Sequence, residues 1–325
     1  MPSIKLSIII PTYNRLEYVE KCLESFQECG VGDREVIVVD DGSTDNTRSV
    51  LSLHNECNYV YQENQGPAAA RNLGVDHAGG RYLAFLDCDD LWLPGVASRV
   101  IDLLDRHPEV DAIFTEALVG NDRDGYESWI EAAGKADFFA LPHCEPEPGF
   151  RVLETVPFFR RMAARNAIFL GALVMRREAF ERVGRFEPTL CGAADWELWL
   201  RMASQMTFGY WPKPLAIYTR HDDNMSSNHD RMKVEFCQAL KNVLRKCPHL
   251  APGERSWVRA CLRDQAFGLA YDAYDQGDFA LARRRYAGYI TGHGPTLKTA
   301  LYWALCGLPG EMPRIARKLK RALIP

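Results

Sequence analysis

Asp87, Asp89 and Asp90 crowd three carboxylates into four positions, directly behind the apolar run at 82–86 and ahead of "LWLP". An apolar run of that length with polar boundaries predicts a buried strand, which puts the carboxylates at its carboxyl end. Two oxygen ligands from one strand end, with the other positions left to water and substrate phosphates, are a common way to hold Mg2+ or Mn2+. Asp87 and Asp89 are two apart, so in an extended chain both point to one side. Asp90 then points elsewhere unless the chain turns there, as an alternative ligand or as the cap of a helix beginning near Leu93 or Pro94. A DxD taken alone is more often an ordinary turn. Its place after a buried strand is what makes a cation site worth weighing.

The elements that must position these groups follow from periodicity. Apolar runs at 4–10, 35–39, 59–62 and 82–86 alternate with segments of helical spacing, such as Val19, Cys22, Leu23, Phe26 and Val96, Val100, Leu103, Leu104. Alternating strand and helix predicts an α/β fold with a mostly parallel, Rossmann-like sheet flanked by helices. Ligands of such sheets bind at the carboxyl ends of the strands. Those ends read "PTYNR" (11–15), "DDGSTDNT" (40–47), "ENQGPAAARN" (63–72) and "DCDD" (87–90). Tyr13 offers a ring for a base, and Asp41 an acceptor for a base or ribose. Asp41 is also suited to shaping a turn or capping the next helix. Arg71, in a helix starting near Pro67, would meet a phosphate or pair at the surface.

After about residue 115 the alternation fades. Residues 141–150, "LPHCEPEPGF", read as an extended loop, followed by a strand at 171–175, a helix at 195–204 and a strand at 207–218. From 231 the pattern is helical, and "AYDQGDFALARRRYAGYI" resembles one hairpin of a helical repeat without a second copy. The division expected is 1–230, with a nucleotide half (1–115) and an acceptor half (116–230), then a helical region 231–325.

Charge divides along the same line. Residues 231–325 hold 17 Lys and Arg against 7 Asp and Glu, and residues 1–230 hold 22 against 36. An acidic body argues against nucleic-acid binding and suits a cation. The ten cysteines form no CxxC and no paired Cys/His spacing, which speaks against a zinc site or a disulfide framework and for a reducing compartment. No run approaches the roughly 18 apolar residues of a membrane span, and the first residues lack a signal-peptide run. A cytoplasmic protein is expected. At 313–325, Ile315, Leu319 and Leu323 are ringed by Arg314, Arg317, Lys318, Lys320 and Arg321. That pattern fits a basic amphipathic helix on the inner face of an anionic membrane, or a terminal helix packed on its neighbours.

The ordered series "SIIIPTYNR", "VIVVDDGSTDNT", "NQGPAAARNLG", "GRYLAFLDCDD", "VGRFEPTL", "ADWELWLR" and "YTRH" resembles family 2 glycosyltransferases of the GT-A fold, across about residues 3–230. The resemblance implies an inverting, metal-dependent transfer from a nucleoside-diphosphate sugar, most often a UDP-sugar, to a saccharide or lipid-linked saccharide. By match to the motifs, Pro11, Tyr13, Asp41 and Arg71 would line the nucleotide and Asp87 the ribose. Asp89 would bind Mn2+ or Mg2+, with Asp90 as the alternative ligand and His221 near the metal or diphosphate. Asp195 stands where the family places its general base, and it could also cap the helix of "WELWLR", the two roles not being exclusive. The family often has Glu-Asp there, whereas this chain has Ala194-Asp195. Cys88 replaces a small residue and is expected to be a buried spacer. Trp129, Phe138, Phe139 and His143 fall where such enzymes vary toward their acceptors. Two rivals remain: a sugar-phosphate nucleotidyltransferase, for which "PTYNR" lacks a Gly-rich basic loop, and a non-catalytic nucleotide-sugar-binding scaffold.

Overall fold

The computed structural model describes residues 4–26, 29–121, 123–132, 138, 140–221, 228–308 and 312. They belong to two compact units, Met1–Ser227 and Asn228–Pro325. The first alternates as the hydrophobic pattern requires: β1 (Leu6–Thr12), α1 (Leu16–Ser25), β2 (Arg34–Asp41), α2 (Thr47–Leu51), β3 (Asn58–Gln62), α3 (Pro67–His77), β4 (Tyr82–Phe85). Every residue of β1 is buried, as a strand covered on both faces demands. Strands β3-β2-β1-β4 run parallel, and the register sets Thr12 beside Asp40 and Asp41 beside Gln62. All four polar strand ends therefore emerge on one edge.

The remainder is β5 (Leu91–Trp92), α4 (Val96–Arg106), β6 (Ala112–Asn121), β7 (Gly125–Ser128), α5 (Trp129–Ala132), β8 (His143–Glu147), β9 (Phe150–Leu153), α6 (Thr155–Ala164), β10 (Leu173–Arg176), α7 (Arg177–Val183), α8 (Ala194–Ala203) and β11 (Phe208–Thr219). The sheet continues β4-β10-β6-β11-β9-β8, with β10 antiparallel to both neighbours and β11 parallel to β6. Residues 143–153 form a hairpin rather than the loop expected from their prolines. The reason is position: β8 is an edge strand, where Pro146 costs no ladder hydrogen bond.

Two local features aim the site. A Cβ on Gly74 would stand 2.4 Å from Ile9 Cγ2, so glycine lets α3 lie flat on β1 and brings Arg71 to the strand ends. The short β5 pairs Leu91 and Trp92 with Ile217 and Ala216 of β11, tying the acidic loop to the end of that strand.

The second unit contains α9 (His229–Lys246), α10 (Pro252–Gln276), α11 (Phe279–His293) and α12 (Leu297–Cys306). The α10–α11 turn follows its sequence: Gly277 takes the left-handed conformation and Asp278 caps α11 through Leu281 N. Ala270, Ala273, Tyr274, Ala282, Tyr286, Tyr302 and Cys306 make its core. Among the described residues no helix is long and apolar enough to cross a membrane. The expectations for 313–325 and for Phe139 fall outside the described residues.

Candidate active site

The ends of β1 and β2 are knotted together by one residue. Asn14 adopts φ 54°, a left-handed conformation that Asn tolerates better than most residues. Its amide N–H donates to Ser43 Oγ at 2.9 Å, and its Oδ1 accepts from Thr44 N at 2.7 Å. Tyr13 beside it is 46 % exposed and presents its ring at the rim, whereas Pro11 is buried within β1. Asp41 is also buried. Its Oδ1 accepts from Gln62 Nε2 (2.6 Å) and Gln65 N (2.8 Å), and its Oδ2 from Gly66 N (2.8 Å). The carboxylate thereby fixes the turn into α3, where Gly66 takes φ 89°.

The acidic loop is not extended. Asp90 N donates to Asp87 O at 3.0 Å, closing a turn that sends its carboxylates to different partners. Asp87 Oδ1 meets the buried Arg71 guanidinium. Asp89 Oδ2 meets Arg15 Nη1 and lies 2.9 Å from His221 Nε2, whose ring packs 5.4 Å from that of Tyr18. Asp90 turns inward and accepts from Thr219 N at 3.2 Å, two residues before His221. Burial and the neighbouring Asp89 and Asp87 charges raise its pKa well above the carboxylate range. It does not cap the next helix, because β5 intervenes and α4 starts only at Val96 behind Gly95. Cys88 is buried, and burial pushes its thiol pKa up, as an inert spacer requires.

Asp195 lies in the first turn of α8, whose other residues are buried. Trp196 Nε1 donates to Met162 O at 2.7 Å, and Trp199 packs on Phe186. Asp195 Oδ1 accepts from Trp196 N at 2.6 Å, so the expected capping role is replaced by a bond to the next amide. Burial raises its pKa to about 6; the Trp196 hydrogen bond and the Arg71 charge oppose the rise, and the Asp87 charge adds to it. Asp195, Arg71 and Asp87 thus share one electrostatic neighbourhood.

The residues that hold this neighbourhood in place gave no motif signal of their own. Asn72 exchanges two 3.0 Å hydrogen bonds with the backbone of Phe186, whose ring lies under Arg71 at 5.7 Å. Arg201, paired with the fully buried Glu197, donates to the carbonyls of Val183 and Arg185. Together they lock the 183–186 turn between α3 and α8. Asn14 and Arg15 were visible within "PTYNR" but were not singled out, because their partners lie 29 and 74 residues away.

The donor set can be weighed against a divalent cation. Among the described residues no three His, Cys, Asp or Glu side chains converge on a metal position. One carboxylate and one imidazole stand side by side: Asp89 Oδ2 and His221 Nε2 are 2.9 Å apart, and the same oxygen meets Arg15 Nη1. Adjacent ligands of an octahedral ion with bonds near 2.1 Å stand about 3 Å apart, and such ions keep several positions for water and phosphate.

A mixed sheet of this order, with acidic and basic side chains gathered where its parallel strands end, defines a nucleotide-binding α/β transferase fold of the GT-A type. Residues 7–183 match the model for glycosyl transferase family 2, and the chain belongs to that family. It is a glycosyltransferase. Among relatives it is 42 % identical over 132 residues to TuaG of Bacillus subtilis, a glycosyltransferase named for teichuronic acid biosynthesis. That match covers 39 % of this chain and 52 % of TuaG, so the chain matches about half the length of that relative. Among solved structures, S. aureus TarS 1–349 in complex with UDP-GlcNAc aligns with TM-score 0.66 at 17 % identity, over 92 % of this chain and 83 % of that one. The mannosyltransferase PcManGT from Pyrobaculum calidifontis, in complex with GDP-Man and Mn2+, aligns with TM-score 0.55 at 19 % identity, over 98 % and 85 %.

Proposed function

We propose that this glycosyltransferase is inverting and cation-assisted. It would move a sugar from a nucleoside-diphosphate sugar, a UDP-sugar foremost, to a hydroxyl of a saccharide or lipid-linked saccharide in bacterial-type polysaccharide or glycoconjugate assembly. The observation that carries this reading is the shared neighbourhood of Asp195, Arg71 and Asp87, with Asp195 titrating near 6. In a single displacement the acceptor oxygen forms a bond to the anomeric carbon while the bond from that carbon to the diphosphate oxygen breaks. Asp195, largely ionised at neutral pH, takes the hydroxyl proton as general base. The electron pair of the broken bond leaves on the diphosphate, and Arg71 stands ready to stabilise that charge. Tyr13 offers the base a ring, the edge carrying Asp41 and the 62–66 turn frames the nucleoside, and Asp87 approaches the ribose.

Asp89 and His221 would hold Mn2+ or Mg2+, which when bound neutralises the departing diphosphate. Arg15 meanwhile balances the Asp89 charge from the protein side. Relatives that bind UDP-GlcNAc or GDP-Man with Mn2+ support a nucleotide-sugar donor and a divalent ion, and TuaG supports a polysaccharide acceptor. A lipid-linked acceptor would suit a cytoplasmic chain that touches the inner face of the membrane through its basic 313–325 segment.

Calorimetric titration with UDP, GDP and dTDP, each with and without Mn2+, tests the reading. One nucleotide should bind best, its affinity should require Mn2+, and Asp89→Ala should remove the Mn2+ dependence. Absence of binding by all three would overturn it.

A further inference from the structure

We infer that α12 presents a membrane-docking face, and that its partner is an anionic lipid surface. Thr299, Tyr302 and Cys306 face the core of the second unit, while Leu297, Ala300, Leu301 and Ala304 run along the opposite side, exposed. Leu297 is 91 % exposed and Leu301 56 %, so most of both side chains lies in solvent. Leu308 and Met312 continue the exposed apolar series beyond the helix. Scattered exposed leucines need no explanation, but a row at helical spacing beside a tryptophan marks a surface awaiting a partner. Trp303 stands at the flank of the row with the Arg283 guanidinium over its ring at 4.9 Å. An amphipathic indole with a cation beside it suits the headgroup level of a bilayer.

Charge selects the partner. From Phe279 to the last residue the chain carries nine Lys and Arg and a single acid, Glu311. Five of those nine follow residue 313, and Arg283 and Lys298 lie on or beside α12 itself. A second copy docking through the same helix, or the basic 313–325 segment folded back, would bring like charge onto this face. An anionic bilayer brings the opposite charge and an apolar interior for the leucines, the combination that peripheral helices use. The inference extends the tail contact proposed above into the folded part of the second unit, and it holds whether or not the catalytic assignment does.

The test is sedimentation of the full-length protein with vesicles of phosphatidylglycerol and phosphatidylcholine in equal parts, and with phosphatidylcholine alone. Wild-type protein should sediment with the mixed vesicles, release with added salt, and stay in solution with phosphatidylcholine. The double variant Leu297→Asp/Leu301→Asp should lose binding by roughly tenfold or more, and Leu297→Gln/Leu301→Gln should follow it. Both should melt within a few degrees of wild type, since both side chains lie mostly in solvent. A variant that binds as well as wild type would overturn the inference in favour of the tail alone, and wild-type protein that ignores the mixed vesicles would overturn it outright. A lipid-free dimer dissociated by the substitutions would give the face to a second copy instead. UDP titration of the same samples reports the catalytic reading separately.

Discussion

Two pairs of aspartates stand at the ends of β2 and β4, the strands on either side of β1, and are used in opposite ways. Asp40 accepts from Ser43 N at 2.8 Å and from the Tyr59 hydroxyl at 2.7 Å; Asp41 accepts from one side-chain amide and two main-chain N–H groups. Their partners are neutral and belong to the scaffold, and both carboxylates are buried. Asp87 faces Arg71, and Asp89 faces Arg15 and His221, side chains that a phosphate or a metal could engage in their place. A carboxylate saturated by fixed dipoles builds a loop, whereas one held by side chains that can turn to a phosphate or a metal is available to a ligand. Asp195 is a third kind, held by burial at a pKa near 6 with Arg71 and Asp87 in reach.

Substitutions can break that contrast, and the largest effect is expected at Asp195. Asp195→Asn keeps the shape and removes the base, so sugar transfer to water or acceptor should fall by about 10²–10⁴. UDP affinity should stay within about twofold of wild type, which calorimetry would check. The same variant should be the more stable protein at neutral pH. The folded carboxyl has its pKa raised above the unfolded value, so its contribution is fully present below about pH 4 and lost as pH rises through about 6. Thermal melts at pH 7 should therefore show a higher Tm for Asp195→Asn.

Next in size is Asp41→Asn, which sets an amide N–H against main-chain donors and should cost roughly 1–3 kcal/mol in denaturant unfolding. Asp89→Asn should leave unfolding nearly unchanged while removing the Mn2+ effect on nucleotide binding. A stability loss at Asp89 as large as that at Asp41 would erase the distinction. Smallest is Asn14→Ala, which loses the side-chain acceptor of the 43–45 turn and places Ala at positive φ, for about 1–2 kcal/mol in the same measurement. Asn14→Gly should recover the conformational part alone.

Much of this site was legible in the sequence. Apolar runs of fixed period located β1 to β4, and strand ends in a doubly wound sheet are where polar residues do chemistry, so Tyr13, Asp41, Arg71, Asp87 and Asp89 stood out. Asp195 and His221 emerged only through family resemblance, since neither has local periodicity to mark it. Sequence alone does not decide whether the acidic loop runs extended or turns, because a tight turn at 87–90 leaves no Gly or Pro signal. Arg15, Asn14, Asn72 and Arg201 act through partners distant in sequence, and no local pattern encodes such pairings. The β8–β9 hairpin was hidden by Pro146 and Pro148, which an edge strand and a turn accept and a central strand would not. The exposed face of α12 likewise became visible only once its packed side was known.

The central claim is that Asp195 is the base and that burial sets its pKa. The pH dependence of kcat/KM for hydrolysis of the bound UDP-sugar donor, in wild type and in Asp195→Asn, tests it most directly. Wild type should lose activity about tenfold per unit as pH falls below about 6, because the protonated carboxyl cannot accept the hydroxyl proton. In Asp195→Asn the low residual rate should show no such limb. An unchanged acid limb in the variant would contradict the account and assign the base elsewhere.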